Sequence, residues 1–116
     1  MTKEQFIKEI EKRGNNANRV SNDGDEITVY NGNGMKRYSF RFALGWVRGF
    51  TVHFPDTTTI EYGEFEANGN YDVLDLYETI EKTRKSFGYK RLKKLMVSQF
   101  RLTSSSMEFS YMDETY

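Results

Sequence analysis

The chain contains no cysteine, which excludes a disulfide framework, a thiolate metal site and a cysteine nucleophile, and which suits a reducing compartment. Its single histidine, His53, rules out a histidine metal cluster. A serine triad would have to combine His53 with Ser104, Ser105 or Ser106, and that run lacks the sharp strand-to-helix setting that exposes a nucleophile. His53 is therefore expected as a polar strand residue opposite the core face. The one proline, Pro55, sits in a turn signal, and there is no internal repeat, linker or proline-rich stretch. Nowhere do about 18 apolar residues follow one another, and the charged start from Met1 to Ile10 lacks the apolar run of a signal peptide. These absences predict a cytoplasmic, unprocessed chain with no membrane partner.

What is present supports one small domain. A chain of 116 residues buries roughly two thirds of its unfolded surface. Nine Phe and eight Tyr supply most of the large apolar side chains, so the core should be aromatic-rich. Seventeen basic residues balance seventeen acidic ones, which argues against a general nucleic-acid coat. The charges are segregated, however: Asp56 to Glu81 holds eight carboxylates and no Lys or Arg, and Lys82 to Arg101 holds eight basic residues and no carboxylate.

Thr2 and Gln5 form a capping-box signature and Gly14 is a left-handed stop, so a first helix lies between them, with Phe6, Ile7 and Ile10 on one face. Gly14 to Asp25, rich in Asn, Asp, Ser and Gly, reads as a loop. Asn31-Gly32-Asn33-Gly34 is a hairpin signal between strands carrying Ile27, Val29 and Tyr38, Phe40, Phe42. A third strand, Trp46 to Phe54, puts Trp46, Phe50, Val52 and Phe54 on one face, and Pro55-Asp56 turns the chain into a fourth, Thr58 to Phe65. Asp72 is the expected cap of a second helix carrying Val73, Leu76, Tyr77, Ile80 and Phe87 and closed by Gly88. Within it, Glu78 with Lys82 and Glu81 with Lys85 are spaced for ion pairs. A third helix is expected from Tyr89 to Leu102, with Leu92, Leu95, Met96 and Phe100 on one side. The predicted fold is α+β: an N-terminal helix, a four-stranded antiparallel meander and two C-terminal helices on one face. The domain spans 1–102, and the tail 103–116, where Met107, Phe109 and Tyr111 alternate, is either an added edge strand or an arm that orders on binding.

Gly32 and Gly34 serve the hairpin rather than a phosphate loop, since no Lys-Ser/Thr and no strand-to-helix setting accompanies them. Pro55-Asp56 followed by Glu64-Phe65-Glu66 resembles the PD-(D/E)xK nuclease core, in which Asp56 and Glu64 would hold a divalent ion. Glu66 stands where that family has Lys, which removes the cation that orients the attacking water and adds repulsion. The run Lys90-Arg91-Leu92-Lys93-Lys94-Leu95 looks like the basic helix of double-stranded RNA-binding domains, although an acidic helix intervenes here between strands and basic run.

In general style, a small Lys-, Asn- and Tyr-rich chain with segregated charge and no catalytic constellation, the sequence resembles small proteins encoded by phages and mobile elements, among them the anti-CRISPR proteins. That resemblance implies a non-enzymatic inhibitor that binds a host protein such as an RNA-guided nuclease and needs no cofactor. Its anionic contacts would be Glu61, Glu64, Asp72, Asp75 and Glu78, imitating phosphates in a basic cleft. Lys90, Arg91 and Lys94 would engage bound RNA or pair with the acidic block of a second copy in a homodimer. The alternative is a nucleic-acid-binding module using Arg37 and Arg41 on the hairpin together with the basic third helix.

Overall fold

The computed structural model describes residues 1–63 and 65–97 and the backbone of 98, 100–102 and 107–109. Helix α1 is Lys3–Arg13, and its start is the expected capping box: Thr2 Oγ1 accepts from the Gln5 amide at 3.1 Å while Gln5 Oε1 accepts from the Thr2 amide at 2.8 Å. Gly14 ends it without the left-handed backbone anticipated, at φ −95° and ψ −174°. Glycine is needed there for another reason: a Cβ would lie 2.2 Å from the Tyr77 hydroxyl.

Five strands follow, β1 (Arg19–Asp23), β2 (Glu26–Tyr30), β3 (Lys36–Ala43), β4 (Trp46–His53) and β5 (Thr59–Tyr62), paired in chain order as an antiparallel meander. The expected sheet has one strand fewer, because β1 lies inside the stretch read as a loop. Its sequence, Arg-Val-Ser-Asn-Asp, carries one apolar side chain, so the strand is set by its ladder to β2 and by the turn at Gly24 (φ 61°) rather than by a hydrophobic pattern. The Asn31 hairpin is as predicted: Asn31 Oδ1 accepts from the Asn33 and Met35 amides, and Gly34 takes φ 81°.

A register shift at Arg41/Phe42 places Arg41 opposite Gly49 and Phe42 opposite Val47, leaving Arg48 as the extra residue. The alternation before the shift is thereby inverted. Val47 is buried in place of Trp46, whose ring carries the Arg48 guanidinium 3.5 Å from its centroid.

Helix α2 spans Asn70–Ser98 in two helical segments that meet at Gly88, where the second and third helices were expected to part. Its backbone leaves helical geometry at Gly88 (φ 79°, ψ 173°), which produces a kink at the predicted stop. It begins two residues before Asp72, because Asn70 is anchored. The Asn70 side chain, 6% exposed, accepts from the Val47 amide at 3.0 Å and donates to the Gly45 carbonyl at 3.1 Å, tying the helix start to the β3–β4 turn. Beyond α2, β6 (Phe100–Leu102) pairs antiparallel with β7 (Met107–Phe109) in a separate two-stranded sheet. Phe100–Leu102 is thus extended rather than helical, and the tail strand joins β6 instead of the main sheet's edge. Tyr111 lies outside the described residues.

Both helices pack on the same sheet face. Phe6 of α1 meets the rings of Phe40 and Phe42, and Tyr77 of α2 meets Tyr38 and Phe40 edge-on. Phe40 and Phe50 stack across β3 and β4 at 4.7 Å, and pairs of this kind contribute about 0.5–1.5 kcal/mol beyond the area they bury. The opposite face carries Ser21, Thr28, Ser39, Thr51 and Glu61 in one row across the five strands.

Candidate functional site

Four of the eight carboxylates of the acidic block are paired within the fold. Asp75 accepts from Arg13 Nη1 at 2.8 Å, and Glu78 lies 3.3 Å from the same nitrogen and 3.1 Å from Lys82 Nζ. Glu81 does not pair with Lys85. It turns instead to the Tyr38 hydroxyl, which donates at 2.6 Å, to Asn18 Nδ2 at 3.0 Å and to Arg37 Nη1 at 3.5 Å. Burial, the largest cause, holds the Tyr38 hydroxyl protonated well above the usual tyrosine range, so Tyr38 is the donor in that short bond.

Asp72 and Glu61 are exposed and make no side-chain bond among the described residues, and Glu64 lies outside those residues. The proposed anionic contacts do not form one patch: Glu61 is on the polar sheet face, while Asp75 and Glu78 face α1 across the helical layer.

Asp56, the nuclease-like aspartate, belongs to the β4–β5 turn. Its Oδ1 accepts from the Thr58 hydroxyl at 2.5 Å and amide at 3.1 Å, and Oδ2 accepts from Lys93 Nζ at 2.9 Å. The Thr58 hydroxyl first, then Lys93, lower its pKa to about 2. Among the described residues no three His, Asp or Glu side chains are placed to hold a metal ion.

The basic residues gather elsewhere than the sequence suggested. Arg13 at the end of α1, Arg37 on β3, and Lys82, Arg84 and Lys85 on α2 line one groove of about 560 Å³ together with Glu81. A second recess, about 220 Å³, shares Arg37 and Arg84 with it and adds Lys36, His53, Asn31 and Tyr89. Arg84 is the hinge of this arrangement. It is 8% exposed, sits over the Tyr38 and Phe54 rings at 5.0 and 5.6 Å, and donates from Nη2 to the His53 carbonyl at 3.3 Å. Burial pulls its pKa below the ordinary arginine value, and its Nε has no hydrogen-bond partner among the described residues. His53 is also lowered, by burial first and then by Lys36, and its Nε2 lies 2.9 Å from Ser39 Oγ on the polar face.

Arg37 and Arg41, expected to act together, diverge. Arg37 reaches to α2, whereas Arg41 lies on the polar face in a recess of about 470 Å³ with Glu26, Arg48 and Glu61. Lys90, Arg91 and Lys94 are exposed after the kink, with Arg91 5.0 Å from the Phe87 ring centroid, and Lys93 is held by Asp56 and Thr58. Phe87, predicted for the core stripe, is 55% exposed. Arg84, four residues after Ile80, occupies the inward position instead. That spacing was the available sign of the groove, and it is easily missed because arginine is seldom buried.

The elements define an α+β class of fold, a five-stranded antiparallel meander with both helices packed against one face. No helix among the described residues is long and apolar enough to cross a membrane. No family model matches the chain, and neither a curated protein nor a solved structure matches it.

Proposed function

We propose that the protein is a non-enzymatic nucleic-acid-binding protein whose contact surface is the basic groove between the end of α1, β3 and α2. One observation carries this reading: in a chain of zero net charge, five cationic side chains from three elements line one groove, and beside Arg13, Arg37 and Lys82, which have carboxylate partners, Lys85 is exposed and has none among the described residues. Such a surface gains affinity by releasing the counterions condensed on phosphates. Lys90, Arg91 and Lys94 add exposed charge farther along the same helix. The non-enzymatic part is supported by Asp56, whose carboxylate is taken up by Thr58 and Lys93.

The test is fluorescence anisotropy with labelled single-stranded and duplex DNA and RNA at about 0.15 M salt. Micromolar or tighter binding is expected, and Lys82→Glu with Lys85→Glu should remove it while leaving the melting temperature within a few degrees. Absence of binding to every probe would overturn the reading.

A second reading, an inhibitor of an RNA-guided nuclease of the anti-CRISPR type, is favoured by Glu61 and Asp72, which are exposed and make no side-chain bond among the described residues. Carboxylates of this kind are suited to basic clefts. Inhibition of DNA cleavage by purified RNA-guided nucleases, lost in Glu61→Lys with Asp72→Lys, would put this reading first.

A further inference from the structure

The groove and the recess beside it differ in chemistry. The larger is walled by charge, with Lys85 exposed and without an ion-pair partner among the described residues. The smaller is lined by Met35, Pro55 and Tyr89 next to Asn31 and His53, whose carbonyl takes the Arg84 bond while its imidazole lies against Ser39 on the polar face. Asn31 uses Oδ1 in the hairpin, and its amide nitrogen has no partner among the described residues. The larger, about 560 Å³, lies within the range of small-ligand sites, roughly 300–1,000 Å³, and the smaller, about 220 Å³, falls below it.

Arg84 stands in the wall common to both. A guanidinium this buried ordinarily has a carboxylate in direct contact and its N–H groups satisfied. Here the one side-chain hydrogen bond is to a backbone carbonyl, and Nε is unpartnered among the described residues. Its ring neighbours, Tyr38 and Phe54, keep it in place without neutralising it. Glu81 lines the larger groove but bonds Tyr38, Asn18 and Arg37, so Arg84 has no carboxylate in direct contact among the described residues.

We infer that the paired recesses bind one nucleoside phosphate unit, its phosphate beside Arg37, Arg84 and Lys85 and its base against Tyr89 and Met35 within reach of Asn31. The inference rests on the nucleic-acid reading for its natural source, an unpaired nucleotide of a single strand, but the same chemistry is present in a free nucleotide. A base inside a duplex cannot enter, because its faces are stacked and its edge is paired. The site therefore gives the protein a preference for unpaired nucleic acid that charge alone does not supply.

The experiment compares four probes on the full chain: a labelled single strand of about 12 nucleotides, the same strand with abasic positions, a duplex of equal length, and free nucleoside mono- and triphosphates followed by amide chemical shifts. The intact single strand should bind about tenfold more tightly than the abasic strand and the duplex. Tyr89→Ala should abolish that difference, and melting curves would establish that the variant is folded. The abasic comparison needs no protein variant and so is independent of folding. Equal binding of intact and abasic strands would overturn the nucleotide site while leaving the nucleic-acid reading standing. Shifts at Arg37, Arg84 and Tyr89 with free nucleotides, without binding of any strand, would do the reverse. No response to any probe would overturn both.

Discussion

Gly14 and Asp56 show how single side chains in this fold are fixed by what they touch. At Gly14 the backbone is one that any residue adopts, yet a Cβ would stand 2.2 Å from the Tyr77 hydroxyl. Gly14→Ala should therefore destabilise the protein by about 1–3 kcal/mol, the usual cost of forced overpacking. Adding Tyr77→Phe should return much of that loss in a double-mutant cycle measured by urea denaturation. A fully additive cycle would place the strain elsewhere. Asp56 offers a pH signature. Its folded pKa, lowered to about 2 by the Thr58 hydroxyl and Lys93, lies below the unfolded value of about 3.9. The stability it contributes is thus present above about pH 4 and lost as pH falls toward 2. Melting temperatures of the wild type and Asp56→Asn should differ near pH 5 and converge near pH 2, and a gap independent of pH would remove Asp56 from the account.

Elements were legible where local chemistry specifies them. The capping box of α1, the Asn31 hairpin and the Pro55 turn follow from side chains that bond their own backbone, so sequence and structure agree there. The polar strand β1 was not legible because its pairing is made by backbone groups common to all residues. The exchange of Val47 for Trp46 in the core was hidden by the register shift at Arg41/Phe42, which no alternation pattern reveals. The groove was legible only in part: Arg37 could be picked from its strand, but Arg13 and Arg84 come together through tertiary packing. Gly88 is the clearest case of an element governed by one residue. Its φ of 79° and ψ of 173° fall in a region nearly exclusive to glycine, so Gly88→Ala should cost about 1–3 kcal/mol. Denaturant unfolding would measure it, and a neutral substitution would mean that α2 straightens at no expense.

At the scale of the whole molecule, charge rather than any single motif organises the protein. The sequence separates acidic from basic residues, and folding sets many of the acids to work as internal counterions: Asp75 and Glu78 for Arg13, Glu81 for Arg37, Asp56 for Lys93. Of the groove cations, Arg13, Arg37 and Lys82 keep carboxylate partners and Arg84 is buried, which leaves Lys85 exposed with no ion-pair partner among the described residues. The measurement that tests this most directly is the salt dependence of single-strand binding. If about three groove cations contact phosphates, log Kobs should fall against log salt with a slope of about −2, and Lys82→Glu with Lys85→Glu should bring both slope and affinity toward zero. Binding that ignores salt, or that survives this double reversal unchanged, would contradict the basic groove as the contact surface.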